Sequence, residues 1–378
     1  MSTRSSMLLV TAGVLWGTGG LAGALLRDAT GLHPLAVASY RLLLGGLLAT
    51  AVLAATGGLR IARPRRIGTT RSTSARTDTT RSVDHVATAV ADTALSVDHV
   101  ATAVTDTAAD TAGPAGRLAG VDRSGRRSAG GVNRAATRRL LASGALLALF
   151  QACYFASISV SSVSLATMIT IGSVPVFVAV ASAVGSRQRP DAATTAMIGL
   201  AVVGLGLLAG GPGPTSGWSA VLGVATALLS GAGFAALTML NRTPVPGLEP
   251  AKVTALGCLT GGVLLLPLAA LTGLGVPTSV GGIAVALYLG AVPTALAYAA
   301  YYRGLRDAQP TTAALATVLE PLTATVLAVL LFDERLGATG WVGAALLAVA
   351  VIGSQLTGSR ATSRGSASAG AATVRPGG

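Results

Sequence analysis

Long apolar segments separated by short polar connections dominate the pattern of this chain. Ten of these segments hold about 20 mostly apolar residues each, the length that a helix needs to cross the hydrocarbon core of a bilayer. They are residues 7–27, 34–56, 137–158, 163–185, 192–211, 217–240, 250–271, 281–302, 310–332 and 338–357. The pattern therefore predicts an all-α membrane protein with ten transmembrane helices.

The apolar pattern also repeats within the chain. Shifted by 216 residues, positions 10–54 align without a gap with positions 226–270, and 11 of the 45 pairs are identical. The matches include Gly45 and Gly46 over Gly261 and Gly262 and, at a second shift of 146, Gly144 over Gly290 and Pro175 over Pro321. Five crossings per copy turn the second copy upside down. The sequence thus predicts two inverted five-helix repeats, an architecture that places a substrate site at the interface of the halves.

Two polar segments lie outside the predicted helices. Residues 57–136 are rich in Arg, Thr, Ser, Ala, Asp and Gly, and such a composition predicts a disordered cytoplasmic insert. A 14-residue tandem repeat begins there at Ser82 and again at Ser96, and both a short amphipathic helix and an unstructured duplication are consistent with it. Residues 358–378 are predicted to be a disordered cytoplasmic tail. The first repeat then comprises residues 1–56 and 137–211, and the second comprises residues 217–357.

Composition and charge support a membrane location. Hydrophobic residues make up 51% of the chain and charged residues 11%, whereas a soluble domain carries about 25% charged residues. The net charge of +13 would suggest nucleic acid in a soluble protein, but its distribution fits the positive-inside rule better. With a cytoplasmic N-terminus, 24 of the 27 basic residues fall on the cytoplasmic side. We therefore expect a multi-pass plasma-membrane protein with both termini cytoplasmic, in contact with lipid and not with nucleic acid.

Three groups of motif residues lie within or beside the predicted helices. They are Leu15-Trp16-Gly17-Thr18, Pro34-x-Ala-x-Ala-x-Tyr-Arg41, and Leu319-Glu320-Pro321 followed by Phe332-x-Glu334-Arg335-Leu336. Together they resemble EamA-domain transporters of the drug/metabolite transporter superfamily, over all ten predicted helices but not over the insert or the tail. The resemblance implies export or exchange of a small metabolite, such as an amino acid, a nucleobase or an amphipathic drug, through a central cavity. The long insert departs from the family pattern, as does Val174, which stands where the second half has Glu320.

Two ionisable side chains, Arg41 and Glu320, lie deep in predicted spans. Each costs about 2.5–3.5 kcal/mol at a helix centre on insertion scales, so each is a candidate for function. Glu320 is expected to bind a coupling proton or a cationic part of the substrate. The alternatives are a protonated Glu320 that supports a helix break at Pro321, and an Arg41 that extends toward the headgroups.

Further candidates for the cavity are four polar or aromatic residues inside predicted spans, although ordinary packing is the alternative for each. They are Trp16, Gln151, Tyr154 and Tyr298. Pro175 and Pro321 are predicted helix breaks. No His, paired Asp or Cys–His arrangement falls within a predicted span, so we expect neither an enzyme nor a metal site or cofactor. A non-transporting scaffold and, less favoured, an intramembrane enzyme remain as alternatives, and the pattern specifies no oligomeric state.

Overall fold

The structure, a computed structural model, describes residues 3–57, 124–161, 163–186, 190–208, 217–332 and 337–372. Within these ranges the regular secondary structure is helical, apart from one isolated bridge between Val245 and Leu248. The helices are α1 (Thr3–Thr30), α2 (Pro34–Ala55), α3 (Ser124–Val160), α4 (Val163–Ser186), α5 (Ala192–Leu208), α6 (Trp218–Arg242), α7 (Pro250–Leu271), α8 (Val280–Gly290), α9 (Ala297–Leu305), α10 (Pro310–Ala316), α11 (Leu319–Phe332) and α12 (Ala338–Ala372). A π-helical segment, Ala291–Leu296, joins α8 to α9.

Nine helical stretches in the described ranges are long and apolar enough to cross a membrane, with α8 to α9 and α10 to α11 counting as one stretch each. The predicted all-α membrane protein is confirmed at this level. The predicted fifth span corresponds to α5, an apolar helix of 17 residues. At 1.5 Å per residue α5 is about 25 Å long, and residues 209–216 lie outside the described ranges.

Glycine and proline set the starts of α2 and α7. Gly31 and Gly247 have positive φ angles of 66° and 78°, a conformation that costs glycine no steric clash. Three residues later, Pro34 and Pro250 are the first residues of their helices, where the missing N–H is not needed. These pairs are equivalent under the 216-residue shift.

Two helices extend beyond their predicted limits. The helix α3 begins at Ser124, inside the segment predicted to be a disordered insert, and α12 continues to Ala372, inside the predicted disordered tail. The helices α3 and α12 thus include residues 124–136 and 358–372, which the sequence analysis places in the insert and in the tail. No proline interrupts either extension, and adding residues to an existing helix is far easier than starting one. The tandem repeat at Ser82 and Ser96 lies outside the described residues.

The chain divides into two units, one of Met1–Thr50 with Ala135–Gly378 and one of Ala51–Arg134. The buried core lies in the larger unit, while many large apolar side chains on its surface are exposed. Leu271 and Val280, for example, are 84% and 86% exposed. Exposed apolar side chains are unfavourable in water but suit contact with lipid. Trp218 and Trp341 are exposed near helix starts, as an interfacial aromatic belt would have them.

The helices α2 and α7 touch through two glycines. A Cβ atom on Gly46 would lie 2.7 Å from Cγ of Leu259, and a Cβ atom on Gly262 would lie 2.7 Å from Cγ of Leu43. Only glycine permits so close an approach. Three residues back along α2, from Gly46 to Leu43, the contact on α7 lies three residues further on, at Gly262 instead of Leu259. The two helices therefore run antiparallel.

A second pair of close contacts flanks the first. A Cβ atom on Gly45 would lie 2.9 Å from the carbonyl oxygen of Gly290, and one on Gly261 would lie 3.1 Å from the carbonyl oxygen of Gly144. In this way α2 packs against α8, and α7 packs against α3. All four glycines belong to the matches found by the two sequence shifts.

Candidate functional site

A small cavity of about 40 Å³ lies inside the larger unit. Its lining comes from seven regions of the chain: Trp16, Arg41, Phe150, Gln151, Tyr154, Thr167, Thr170, Ile171, Phe234, Tyr298, Thr317 and Glu320. The lining contains all six residues that the sequence analysis singled out for a cavity. The space holds about three water molecules, so in this conformation the site is nearly closed.

A helix break presents Glu320 to the cavity. The helix α10 ends at Ala316 and α11 begins at Leu319, with a turn at Thr317 and Val318 between them. Pro321 has no N–H to donate to the carbonyl of Thr317, and the Glu320 N–H donates to that carbonyl instead, at 3.0 Å. The break therefore accompanies Pro321, as expected from its sequence.

The predicted break at the equivalent Pro175 is not present. Pro175 lies inside α4, which continues from Val163 to Ser186. The neighbouring α6 supports this part of α4, because Thr170 Oγ1 donates a hydrogen bond to the carbonyl of Ala227 at 3.2 Å. In addition, a Cβ atom on Gly231 would lie 2.7 Å from the carbonyl oxygen of Thr170. Close packing by a neighbouring helix lets a membrane helix keep a proline without breaking.

Arg41 is hydrogen-bonded to the π-helical segment Ala291–Leu296. The sequence analysis did not predict this segment. Pro293 lies in this segment and cannot donate to the carbonyl of Leu289. The hydroxyl of Thr294, which is fully buried, donates to that carbonyl at 2.8 Å. Arg41 Nε in turn donates to Thr294 Oγ1 at 3.3 Å. The available signal was the Pro-Thr pair inside a predicted span, and π-helical bulges of this kind are frequent at functional sites.

Arg41 and Glu320 line the same cavity without forming an ion pair. No nitrogen of Arg41 lies within 4.0 Å of a carboxylate oxygen of Glu320. Within the described residues, the only hydrogen bond of the Arg41 side chain is that of Nε to Thr294. The cavity thus holds a basic and an acidic group that are both available to a small molecule.

Aromatic rings pack around one part of the cavity. The Trp16 ring centre lies 5.2 Å from that of Tyr298, 5.1 Å from that of Tyr301 and 5.8 Å from that of Phe234. The hydroxyl groups of Tyr301 and Thr238 share a hydrogen bond of 2.8 Å. Trp16 and Tyr298 therefore serve both as packing and as cavity lining, the two roles that the sequence left open.

Fold and site together define a multi-pass α-helical membrane protein with a small polar cavity. Comparison with known families adds that residues 221–355 match the EamA-like transporter family. The second half of the chain is thus similar to the EamA-like transporter family, which confirms the resemblance seen in the sequence.

Two further proteins are similar to this chain. The protein named Uncharacterized transporter YwfM, of Bacillus subtilis (strain 168), is 27% identical over 206 residues, which are 54% of this chain and 69% of that protein. A solved structure titled "Crystal structure of protein" matches with a TM-score of 0.64 at 16% identity, over 95% of this chain and 99% of that one. The structural likeness concerns the fold alone, while the family and the relative point to a membrane transporter rather than an enzyme.

Proposed function

We propose that this protein is a secondary transporter that exports a small metabolite, such as an amino acid or an amphipathic drug, across the plasma membrane. Transport proceeds by alternating access around the cavity, with two inverted five-helix repeats moving about it. The observation that carries this proposal is the cavity itself, which joins Arg41 of the first half to Glu320 of the second. Ionisable residues inside a membrane mark substrate or ion pathways by default.

The glycine contacts support the inverted repeat. Gly46 packs on Leu259, and Gly262 packs on Leu43. Under the 216-residue shift Gly46 is equivalent to Gly262, and Leu43 is equivalent to Leu259. The two contacts are therefore the same contact with the two helices exchanged. Such an exchange of equivalent residues is what a two-fold axis produces. A two-fold axis that exchanges two antiparallel helices is perpendicular to them. For helices that cross a membrane, such an axis lies in the membrane plane.

The packing of α1 and α6 pairs equivalent helices, although Gly13 and Gly231 themselves are two residues apart under the 216-residue shift. The place of a Cβ on Gly13 of α1 is taken by the carbonyl oxygen of Ala316 and by Leu319. On Gly231 of α6 it is taken by the carbonyl oxygen of Thr170 and by Ser173. Residues 316 and 319 correspond to residues 170 and 173 under the 146-residue shift. Each half thus packs its first helix on the fourth helix of the other half.

A ten-span topology with both termini cytoplasmic completes the proposal. It counts α5 as the fifth span, which gives each half an odd number of crossings. Without the fourteen arginines from Arg60 to Arg139, the basic residues number 10 on the cytoplasmic side and 2 on the outside. This bias fits the positive-inside rule.

The small volume of the cavity supports the proposal that this conformation is a closed state of the transport cycle. Binding sites for drug-sized molecules measure about 300–1,000 Å³, many times the 40 Å³ found here. The cluster of Trp16, Phe234, Tyr298 and Tyr301 fills the space beside it. Loading a metabolite then requires the helices that carry these rings to separate.

Flux through purified protein in liposomes tests the proposal. Vesicles are loaded in turn with amino acids, nucleobases and cationic drugs, and export is followed with and without a proton gradient. We expect flux of one class above that of protein-free vesicles. If folded, inserted protein moves none of these solutes, the chain is a scaffold and not a transporter.

A further inference from the structure

Two buried N–H donors of the cavity have nothing to bind. Within the described part of the chain, Trp16 Nε1 and Gln151 Nε2 are buried and have no hydrogen-bond partner. Their side chains are only 5% and 2% exposed, and both line the cavity. Buried polar groups in proteins are normally paired. Unpaired donors on two side chains that line one cavity therefore favour a ligand that accepts hydrogen bonds.

Arg41 adds positive charge to the same donor set. Its Nε is bonded to Thr294, but among the described residues its two terminal nitrogens have no hydrogen bond and no ion pair. A guanidinium group presents its donors in a planar fork that matches the two oxygens of a carboxylate. The donors of Trp16, Gln151 and Arg41 thus share one chemical preference.

Four hydroxyl groups of the cavity lining are already hydrogen-bonded within the protein. Thr170 and Thr317 give their hydrogens to the backbone carbonyls of Ala227 and Ala314, at 3.2 and 2.7 Å. The hydroxyl of Tyr154 shares a hydrogen bond of 2.6 Å with Thr167. These hydroxyl groups already have partners inside the protein. Among the described residues, the lining groups without a hydrogen bond are the N–H donors of Trp16, Gln151 and Arg41, the hydroxyl of Tyr298, and the side-chain oxygens of Gln151 and Glu320.

We infer that Trp16, Gln151 and Arg41 form a subsite for an anionic group, a carboxylate or a similar planar oxyanion, on the transported molecule. The inference rests on the proposed transport function and names one part of the substrate's chemistry. Glu320 is the single acidic group of the same lining. The donors proposed for an anionic end of the substrate are therefore different side chains from the carboxylate proposed for a proton or a cationic group.

Thr294 is the positioning residue of this subsite. Its hydroxyl accepts from Arg41 Nε while donating to the carbonyl that Pro293 leaves unpaired. Replacing Thr294 with Val keeps the shape and removes both bonds, whereas Thr294→Ser keeps the hydroxyl. We expect Thr294→Val to weaken anion binding and Thr294→Ser to restore it, an outcome that loss of packing alone would not produce.

Formate is a suitable probe because its three heavy atoms match a space for about three water molecules. The thermal stability of the purified full chain in detergent is measured in sodium formate, in sodium chloride at equal ionic strength, and with neutral formamide. Ligands that bind the folded state raise its melting temperature. We expect formate to raise the melting temperature above both comparisons.

Three substitutions then locate the effect. Trp16→Phe removes the indole N–H but keeps a ring, Gln151→Leu removes the amide, and Arg41→Gln removes the charge. Each is expected to abolish the formate-specific rise. Two matched controls, Trp341→Phe and Arg27→Gln, make the same changes at exposed positions outside the cavity and should retain it.

The outcomes separate this inference from the proposed function. If formate stabilises the wild type no more than chloride does, or if all three cavity variants keep the formate effect, the anionic subsite is wrong. Flux in liposomes without formate-specific stabilisation would leave the transporter standing and remove the subsite. Formate binding that depends on Arg41, in a protein without flux, would keep the subsite and remove the transport function.

Discussion

Gly46 and Gly262 hold equivalent places in one antiparallel helix contact. Each lies against the leucine that occurs three residues before the other, Leu259 for Gly46 and Leu43 for Gly262, with a Cβ-to-Cγ distance of 2.7 Å in both cases. Equal distances at equivalent residues are expected if one local symmetry governs both halves. The glycine pairs that first revealed the repeat in the sequence are thus also the points where the helices touch.

Equivalent contacts predict equal effects of equivalent substitutions. Gly46→Leu and Gly262→Leu should each destabilise the protein by about 1–3 kcal/mol, because a larger side chain cannot fit between the helices. Gly23→Leu is the control, since a Cβ there has no neighbour within 4 Å. Thermal unfolding in detergent measures all three. A large loss in one half with none in the other would contradict the two-fold relationship.

Gly17 should be needed for the placement of Glu320. A Cβ on Gly17 would lie 2.6 Å from the carbonyl oxygen of Glu320 and 2.5 Å from Cβ of Thr323. We therefore expect Gly17→Val to push α1 away from α11 and to reduce flux at least tenfold, the change that about 1.4 kcal/mol produces. Gly20→Val, with open space around its Cβ, should transport normally. Normal flux in both variants would show that this contact does not hold the site.

The ten-span topology is tested by reporter fusions. Fusions after residues 30, 160, 215, 275 and 336 should all report the external side, because each follows an odd-numbered span. Fusions to the two termini should report the cytoplasm. Two or more of the five reporting the cytoplasm would contradict the topology, and the fusion after residue 215 tests whether α5 crosses the membrane.

The long connection between α2 and α3 should be dispensable for transport. Residues 60–123 are replaced by a short flexible Gly/Ser linker flanked by basic residues, which leaves α3 with its start at Ser124. Insertion and flux should stay near wild type, since the equivalent connection in the second half needs only residues 272–279. Loss of flux in a correctly inserted deletion variant would assign a role to the connection.

The sequence singled out six of the twelve residues that line the cavity, because ionisable and aromatic residues are rare in an apolar chain. Arg41, Glu320 and Trp16 stood out for this reason, and all three line the cavity. Residues such as Thr167 and Phe234 were missed, since hydroxyl and aromatic side chains in a span are as common in packing as in binding. Which face of a helix points inward depends on its neighbours, and a single sequence does not supply them.

The effect of the prolines on the helices also depends on neighbours that a single sequence does not supply. Pro175 and Pro321 are equivalent in sequence, yet α4 continues through the first while the chain turns just before the second. The carbonyl oxygens of Thr170 and of its equivalent, Ala316, both lie against a glycine of a neighbouring helix. One difference is the hydrogen bond from Thr170 Oγ1 to the carbonyl of Ala227 in α6, which Ala316 has no hydroxyl to make. At Pro293 the outcome is a π-helical segment with Thr294 replacing the lost N–H. A proline predicts a disturbed backbone, but tertiary contacts determine its form.

The most direct test of the proposed transport function is proton-driven flux in vesicles that contain the Glu320→Gln variant. Gln keeps the size and most of the hydrogen-bonding capacity of the side chain but cannot take up and release a proton. Asp307→Asn, the same change at an exposed carboxylate outside the cavity, is the control. If Glu320 couples transport to protons, gradient-driven flux falls to the level of protein-free vesicles in Glu320→Gln, while counterflow exchange and insertion persist. Gradient-driven flux that equals wild type would contradict the account and reduce Glu320 to a support for the helix break.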